Sequence, residues 1–419
     1  MNSILRKFLF SDNGRIEHEA SLWNAIFSML NAAQSVIFMF FIARICGDRL
    51  AGVFSFAFSI AYLMIMIGNY GVRNYHATDV LGRFGFKQYV YHRILTCVVM
   101  ILSSVIYVVV KGFDDEKAVM IILCSLLKMV ESIEDVIHGE YQRDGRLDVA
   151  SKTGAIRYIL GVVVFIAVLM ISRDVILAFV LMNIVSIAAF TLLLIYTYRD
   201  ISIRKDNGEK WYRLFLICFP LFASSFFNIY ICNASKYALE KYSNDVIQAH
   251  YGMIFMPVFV INLLCGCIYR PHLVELADYW NEGNVGAISG FIKKQMLLLL
   301  IISIGACVVG YFIGVTVLSL FYGTDLSSYR TQFVILLVGG AMTATVDFMN
   351  NIITIIRKQK ILGWLYGAVS LLALIITGFF VKSYGISGAS VTYTAVIFVQ
   401  ASLMVIYVVY QLKNNSCKE

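Results

Sequence analysis

The sequence predicts an all-α polytopic membrane protein, with twelve transmembrane helices arranged as two six-helix bundles around a central cavity. Three observations carry that class. Of 419 residues 60% are hydrophobic and only 14% are charged, about half the charged share of an ordinary soluble chain. Three prolines and an aromatic content of 14% exclude disordered or fibrous chains, which are rich in Pro and polar residues. Finally, apolar runs long enough to cross a hydrocarbon core, about 20 residues each, recur twelve times between charged punctuation.

In chain order these runs cover 22–45, 50–69, 94–110, 118–137, 158–172, 175–196, 214–235, 251–269, 296–321, 333–356, 361–381 and 386–410. The third and fifth are the shortest. No cleavable signal peptide is expected, because the first run is too long and follows a polar stretch holding Asp12, Glu17 and Glu19. Residues 271–294, with Trp280 beside Glu275 and Asp278, fit either an amphipathic interface helix or one packed on its neighbours. Most of the nine cysteines fall within apolar runs, without CxxC or Cys/His spacing. They read as small packing residues.

Positive charge orients the chain, since cytoplasmic loops retain Lys and Arg. Arg44, Arg49, Lys111, Lys117, Arg173, Lys236, Lys241, Arg330 and Lys382 fall on one side, Lys128 lies inside a span, and the other 24 basic residues fall on the opposite side. The expectation is a multi-pass protein of a bacterial inner or plasma membrane with both termini cytoplasmic. A net charge of +8 spread this way predicts contact with membrane lipids, not with nucleic acid.

Ionisable groups inside spans are costly, about 3 kcal/mol each on insertion scales, and normally face a partner or water. The fourth span carries Lys128, Glu131, Asp135, His138 and Gln142 on one helical face. Lys128, eleven residues from Lys117, lies roughly 16 Å along the helix, near the bilayer centre. The tenth span repeats the device with Thr343, Asp347, Asn350 and Thr354. The first span has Asn24, Ser28, Asn31 and Ser35, and the seventh has Ser225, Asn228, Cys232 and Lys236. Spans one and seven, and four and ten, are each six apart, as a parallel repeat would place them, with a cavity between halves at 1–205 and 206–419. Pro220 and Pro257 open the second half, where a lost hydrogen bond lets a helix bend. Asn, Ser and Thr in these stripes serve equally as packing glue. Lys128, Glu131 and Asp347 exceed what packing needs and point to a wet cavity. Glu134, Glu140 and His138 read instead as solvated surface near the inner interface. Arg73, Arg157 and Arg270, at span ends, are candidates for a headgroup site.

Walker A, Gly-rich nucleotide, HExxH and GxSxG patterns are absent. Neither an enzyme nor a bound cofactor is expected.

Four local runs carry a family resemblance: NYGVRNYHATDV at 69–80, HGEYQRDGRLDVASK at 138–152, FPLFASSFFNIYICNASKYALEKY at 219–242 and YGMIFMPVFVINLL at 251–264. With the twelve-span layout, they make nearly the whole chain resemble the polysaccharide-repeat-unit flippases (Wzx type, O-antigen and capsule) of the multidrug/oligosaccharidyl-lipid/polysaccharide exporter superfamily. The resemblance implies outward transfer of an undecaprenyl-pyrophosphate-linked oligosaccharide, in company with polysaccharide polymerase machinery. That family's cavity is typically cationic, whereas the stripe here mixes Lys128 with Glu131 and Asp135. On this reading the cavity is lined by Lys128, Glu131, Asp135, Asp347, Asn350, Asn31, Asn228 and Lys236. Lys128, Lys236, Arg73, Arg157 and Arg270 meet the diphosphate. Asp347, Glu131 and Asp135 are candidates for a coupling ion. A drug/cation antiporter of the same superfamily is the main rival, and a membrane-embedded polymerase, which needs a long outer loop, is a weaker one.

Overall fold

In a computed structural model of the chain, the described residues are 2–11, 14–79, 82–198, 209–269 and 272–416. The expected boundary at 205/206 and Arg270 lie outside them. The elements are α1 (Asn2–Leu9), α2 (Ile16–Cys46), α3 (Asp48–Asn69), α4 (Val72–Thr78), α5 (Phe86–Lys111), α6 (Asp115–Arg143), α7 (Leu147–Ser172) and α8 (Val175–Thr197). There follow α9 (Arg213–Tyr242), α10 (Asp245–Tyr269), α11 (Leu273–Asn281), α12 (Val285–Val309), α13 (Val315–Tyr322), α14 (Arg330–Ile355) and α15 (Lys360–Ser416). A π-helical turn, Gly310–Gly314, joins α12 to α13 into one span.

Ten helical stretches are long and apolar enough to cross a membrane. The charges of α6 keep it out of that set, although at 29 residues it has the length. Helix α15 counts as two, because Gly385 (φ 54, ψ −131) breaks it in a conformation only glycine adopts readily. The described residues thus contain twelve membrane helices and no strand. Their outward faces are apolar, with Ile171 86% and Leu320 77% exposed, as a lipid solvent requires.

The third and fifth spans are longer than the hydropathy runs suggest. Helix α5 begins at Phe86 and α7 at Leu147, because their polar first turns, including Arg93, Asp148, Lys152 and Arg157, are buried against partners. Several turns of the chain are closed by side-chain caps: Asp114 and Asp174 accept from the amides of Lys117 and Leu177, and Asn284 from Ala287. Between 271 and 294, α11 is a short separate helix with Leu276 buried, and the chain turns at Glu282–Asn284 into α12.

The chain divides into two compact units, Met1–Phe226 and Phe227–Glu419, so that the boundary falls within α9. In unit 1, α6 packs against α3, α4, α5, α7 and α8. An aromatic knot of Phe38, Phe54, Phe165 and Phe179 holds α2, α3, α7 and α8 together, Phe38 lying 4.7 Å from Phe165 between ring centroids. In unit 2, α14 is the corresponding hub, packed on α10, α11, α12 and α15. Gly340 lets α10 come close there, since a Cβ at this position would lie 3.2 Å from Val258 Cα.

Candidate functional site

Helix α6 has one polar stripe, and each charged residue in it is met by a different neighbour. Lys128, only 2% exposed, donates to Glu131 Oε2 at 2.7 Å and to Gln34 Oε1 of α2 at 2.5 Å. Gln34 Nε2 in turn donates to Glu131 Oε1 at 2.7 Å. The rings of Phe58 and Tyr62 on α3 lie 4.9 and 4.6 Å from the ammonium and complete its surroundings by cation–π contact. One turn on, Asp135 accepts from Arg93 of α5 at 2.8 Å and from Arg73 of α4 at 3.3 Å. Arg73 also donates to the Asp135 carbonyl at 2.6 Å and to Gln142.

On the α7 side, Arg157 Nε donates to Glu134 Oε2 at 2.9 Å, and His138 lies 3.2 Å from the Thr153 hydroxyl. Towards the end of α6, Glu140 is held by His76 at 2.7 Å and by Arg143. Glu134, Glu140 and His138 are therefore not solvated surface, as their position near the inner interface suggested; they are 4%, 0% and 6% exposed. Burial is possible because Arg157, Arg143 and His76 come with them, and unpaired carboxylates would not tolerate it.

Arg93 has a second task. Helix α3 stops inside the bundle, where Tyr70 (φ 48) and Gly71 (φ 67) turn left-handed and leave terminal carbonyls without helical partners. Arg93 Nη1 donates to Gly68 O at 2.7 Å, Asn69 Oδ1 at 2.9 Å and Ser132 Oγ at 3.0 Å, while the Thr96 hydroxyl donates to Gly68 O at 2.8 Å. Beyond α4, Asp79 accepts from the amides of Arg83 and Phe84 at 3.0 and 3.1 Å and from the Tyr89 hydroxyl at 2.9 Å. Burial pushes its carboxyl up, but these three donors and nearby Arg143 outweigh it and hold the group below the usual aspartate range.

Unit 2 is built differently. Lys236 on α9 is 7% exposed and has no carboxylate partner among the described residues; its ammonium lies 5.2 Å from the ring centroid of Phe255. Phe255 packs edge-on against Tyr393, 4.8 Å between centroids, and the Tyr393 hydroxyl is 2.7 Å from that of Thr343 on α14. One turn further along α14, Asp347 accepts a hydrogen bond from the Tyr269 hydroxyl, and its carbonyl accepts from Asn351 at 2.7 Å. Asn350 is half-buried, and so are Asn31 on α2 of unit 1 and Asn228 on α9.

Of the expected site residues, Lys128 with Glu131, Asp135 with Arg73, and Arg157 with Glu134 thus form three polar clusters along α6 in unit 1, and in unit 2 Lys236 lies over Phe255 while Asp347 is met by Tyr269. Sequence reading missed Gln34 and Arg93. Gln34 had a signal, standing three residues after Asn31 on the stripe of the first span. Arg93 had none, since it sits in a basic cluster that reads as a loop.

No family model matches the chain. Among curated proteins, a Staphylococcus aureus "Capsular polysaccharide biosynthesis protein CapF" is 20% identical over 372 residues, 88% of this chain and 93% of that protein. Among solved structures, an inward-facing multidrug resistance MATE family transporter of the MOP superfamily superposes with a TM-score of 0.70 at 13% identity, covering 93% of this chain and 95% of that one. An outward-facing MATE transporter gives 0.62 at 12% identity over 99% of both chains. A Pyrococcus furiosus MOP superfamily transporter, described by the reverse polarity of its binding pocket, gives 0.58 at 12% identity over 98% of both chains. The chain shares its fold with these transporter structures.

Proposed function

We propose that this protein is a flippase that moves an undecaprenyl-pyrophosphate-linked polysaccharide repeat unit from the cytoplasmic to the outer leaflet of a bacterial inner membrane. The observation that carries the reading is the similarity to a capsular polysaccharide biosynthesis protein over 93% of that protein's length, on a fold whose solved examples are transporters. Physically, sugars and a diphosphate cannot cross hydrocarbon without replacement hydrogen bonds and counter-charge. Asn31, Asn228, Asn350 and Thr343 supply the former. Lys236, a buried cation not paired with a carboxylate among the described residues, is the residue best suited to meet the diphosphate, and Arg270 is a further candidate. Lys128, Arg73 and Arg157 reach it only by exchanging their present partners, so binding there is coupled to rearrangement of the network.

A headgroup with two negative charges gains about 2.3 kcal/mol per charge per 100 mV on moving outward down an interior-negative potential. The potential alone then drives the cycle, with cation antiport through Glu131, Asp135 or Asp347 as the alternative coupling. Supply from glycosyltransfer on the inner face and delivery to polymerase machinery on the outer face would complete the reading.

The second reading, a drug/cation antiporter, is favoured by the MATE identity of the structural neighbours. Proteoliposomes separate the two. Transfer of a labelled polyprenyl-diphosphate-linked oligosaccharide to the opposite leaflet, responding to imposed potential, is expected. Extrusion of a cationic dye with no movement of the lipid-linked sugar would replace the flippase with the antiporter.

A further inference from the structure

A cavity of about 630 Å³ opens between α1 and the first turns of α2 and α7, its lining combining the basic residues Lys7, Arg15, His18 and Lys152 with the apolar Leu22 and Trp23. The structure assigns this cavity as a binding site for the phosphodiester headgroup of an anionic membrane phospholipid.

The floor is built rigidly. Lys152, 1% exposed, donates to the Phe8 carbonyl at 2.7 Å, to Ser11 Oγ at 2.9 Å and to Glu19 Oε2 at 2.5 Å. The Ser11 amide donates to Asp148 at 3.1 Å, which Arg146 grips with two bonds of 3.0 Å. These contacts fasten α1 to α7 and neutralise Glu19, the one carboxylate in the wall among the described residues. Lys7, Arg15 and His18 remain exposed at the mouth, with no carboxylate partner among the described residues.

The other half of the wall is apolar. Trp23 stacks edge-on against Phe8 at 5.4 Å, and Leu22 is 50% exposed. Tryptophan with basic neighbours at a helix end is the pattern of a membrane–water interface, and a basic group near an anionic lipid surface contributes about fivefold to binding. A free phosphate would use the cations and leave the apolar wall idle; a phospholipid uses both.

The experiment is native mass spectrometry of the full-length detergent-purified protein, titrated with phosphatidylglycerol and phosphatidylcholine of equal chain length. Preferential retention of phosphatidylglycerol is expected. Lys7→Gln with Arg15→Gln lowers that preference about 25-fold, and Leu22→Asn weakens retention of the lipid. Both cations are exposed, so the double variant keeps the thermal stability of the parent, which a melting curve checks. Equal retention of the two lipids, or an unchanged preference in the double variant, overturns the site. Displacement of phosphatidylglycerol by inorganic phosphate alone, with Leu22→Asn without effect, overturns the lipid assignment in favour of a free anion.

Discussion

Lys128 and Glu131 are paired one turn apart on α6, 2.7 Å between Nζ and Oε2, and Gln34 of α2 bonds to both. The pair is internally neutral, with 3% and 13% of its side-chain surfaces exposed, so neither charge is available to a ligand until the other is released.

This sets the outcome of breaking it. Lys128→Ala strands Glu131 in a buried site and lowers stability by about 3 to 5 kcal/mol, whereas Lys128→Met combined with Glu131→Gln restores most of that loss. Thermal unfolding measures the stability, and transfer of lipid-linked oligosaccharide measures the function. A double variant that recovers both would leave the pair with a structural role only.

Lys236 makes the opposite prediction. Because no carboxylate compensates it among the described residues, Lys236→Met leaves stability unchanged or raises it, while abolishing transfer. A clear fall in melting temperature would mean that the ammonium is held by interactions worth more than its burial costs.

Arg93 and Arg73 both reach Asp135, yet their loss is unequal. Arg93→Ala uncovers the end of α3 as well as Asp135 and costs about 3 kcal/mol or more. Arg73→Ala costs about 1 kcal/mol or less, since Arg73 and Asp135 are 25% and 27% exposed and Arg93 still neutralises the carboxylate. Denaturation midpoints of the two variants rank them.

Gly71 holds a left-handed φ of 67°, and a Cβ there would lie 2.7 Å from Leu221 Cβ. Gly71→Ala therefore destabilises unit 1 by about 2 kcal/mol or more. Adding Leu221→Ala recovers little of the loss, because the atom in the way is the Leu221 Cβ, which alanine keeps, and the backbone strain remains.

Asp79 gives a pH dependence. Its folded pKa is depressed, so its contribution is complete above the unfolded value of about 3.9 and is lost as pH falls through the lower folded value. Asp79→Asn is less stable than the parent at neutral pH, and the difference narrows on acidification below that range. A difference that stays constant down to pH about 2 would assign the loss to shape and not to the carboxylate charge.

The membrane class, the twelve spans to within a few turns, and the polar stripes of the fourth and tenth spans were legible because they are one-dimensional properties. Hydropathy, helical period and charge distribution need no partner to be read. Glu134, Glu140 and His138 show where that ends: their cost of burial depends on Arg157, Arg143 and His76, and two of those three come from other helices. The short hydropathy runs at α5 and α7 failed for the same reason, as Arg93 and Lys152 look like loop residues until their acceptors are known. Pairing of charge is a property of neighbours in space, so only tertiary structure decided that the carboxylates of α6 are neutralised largely from α4, α5 and α7 while Lys236 stands without a carboxylate partner among the described residues.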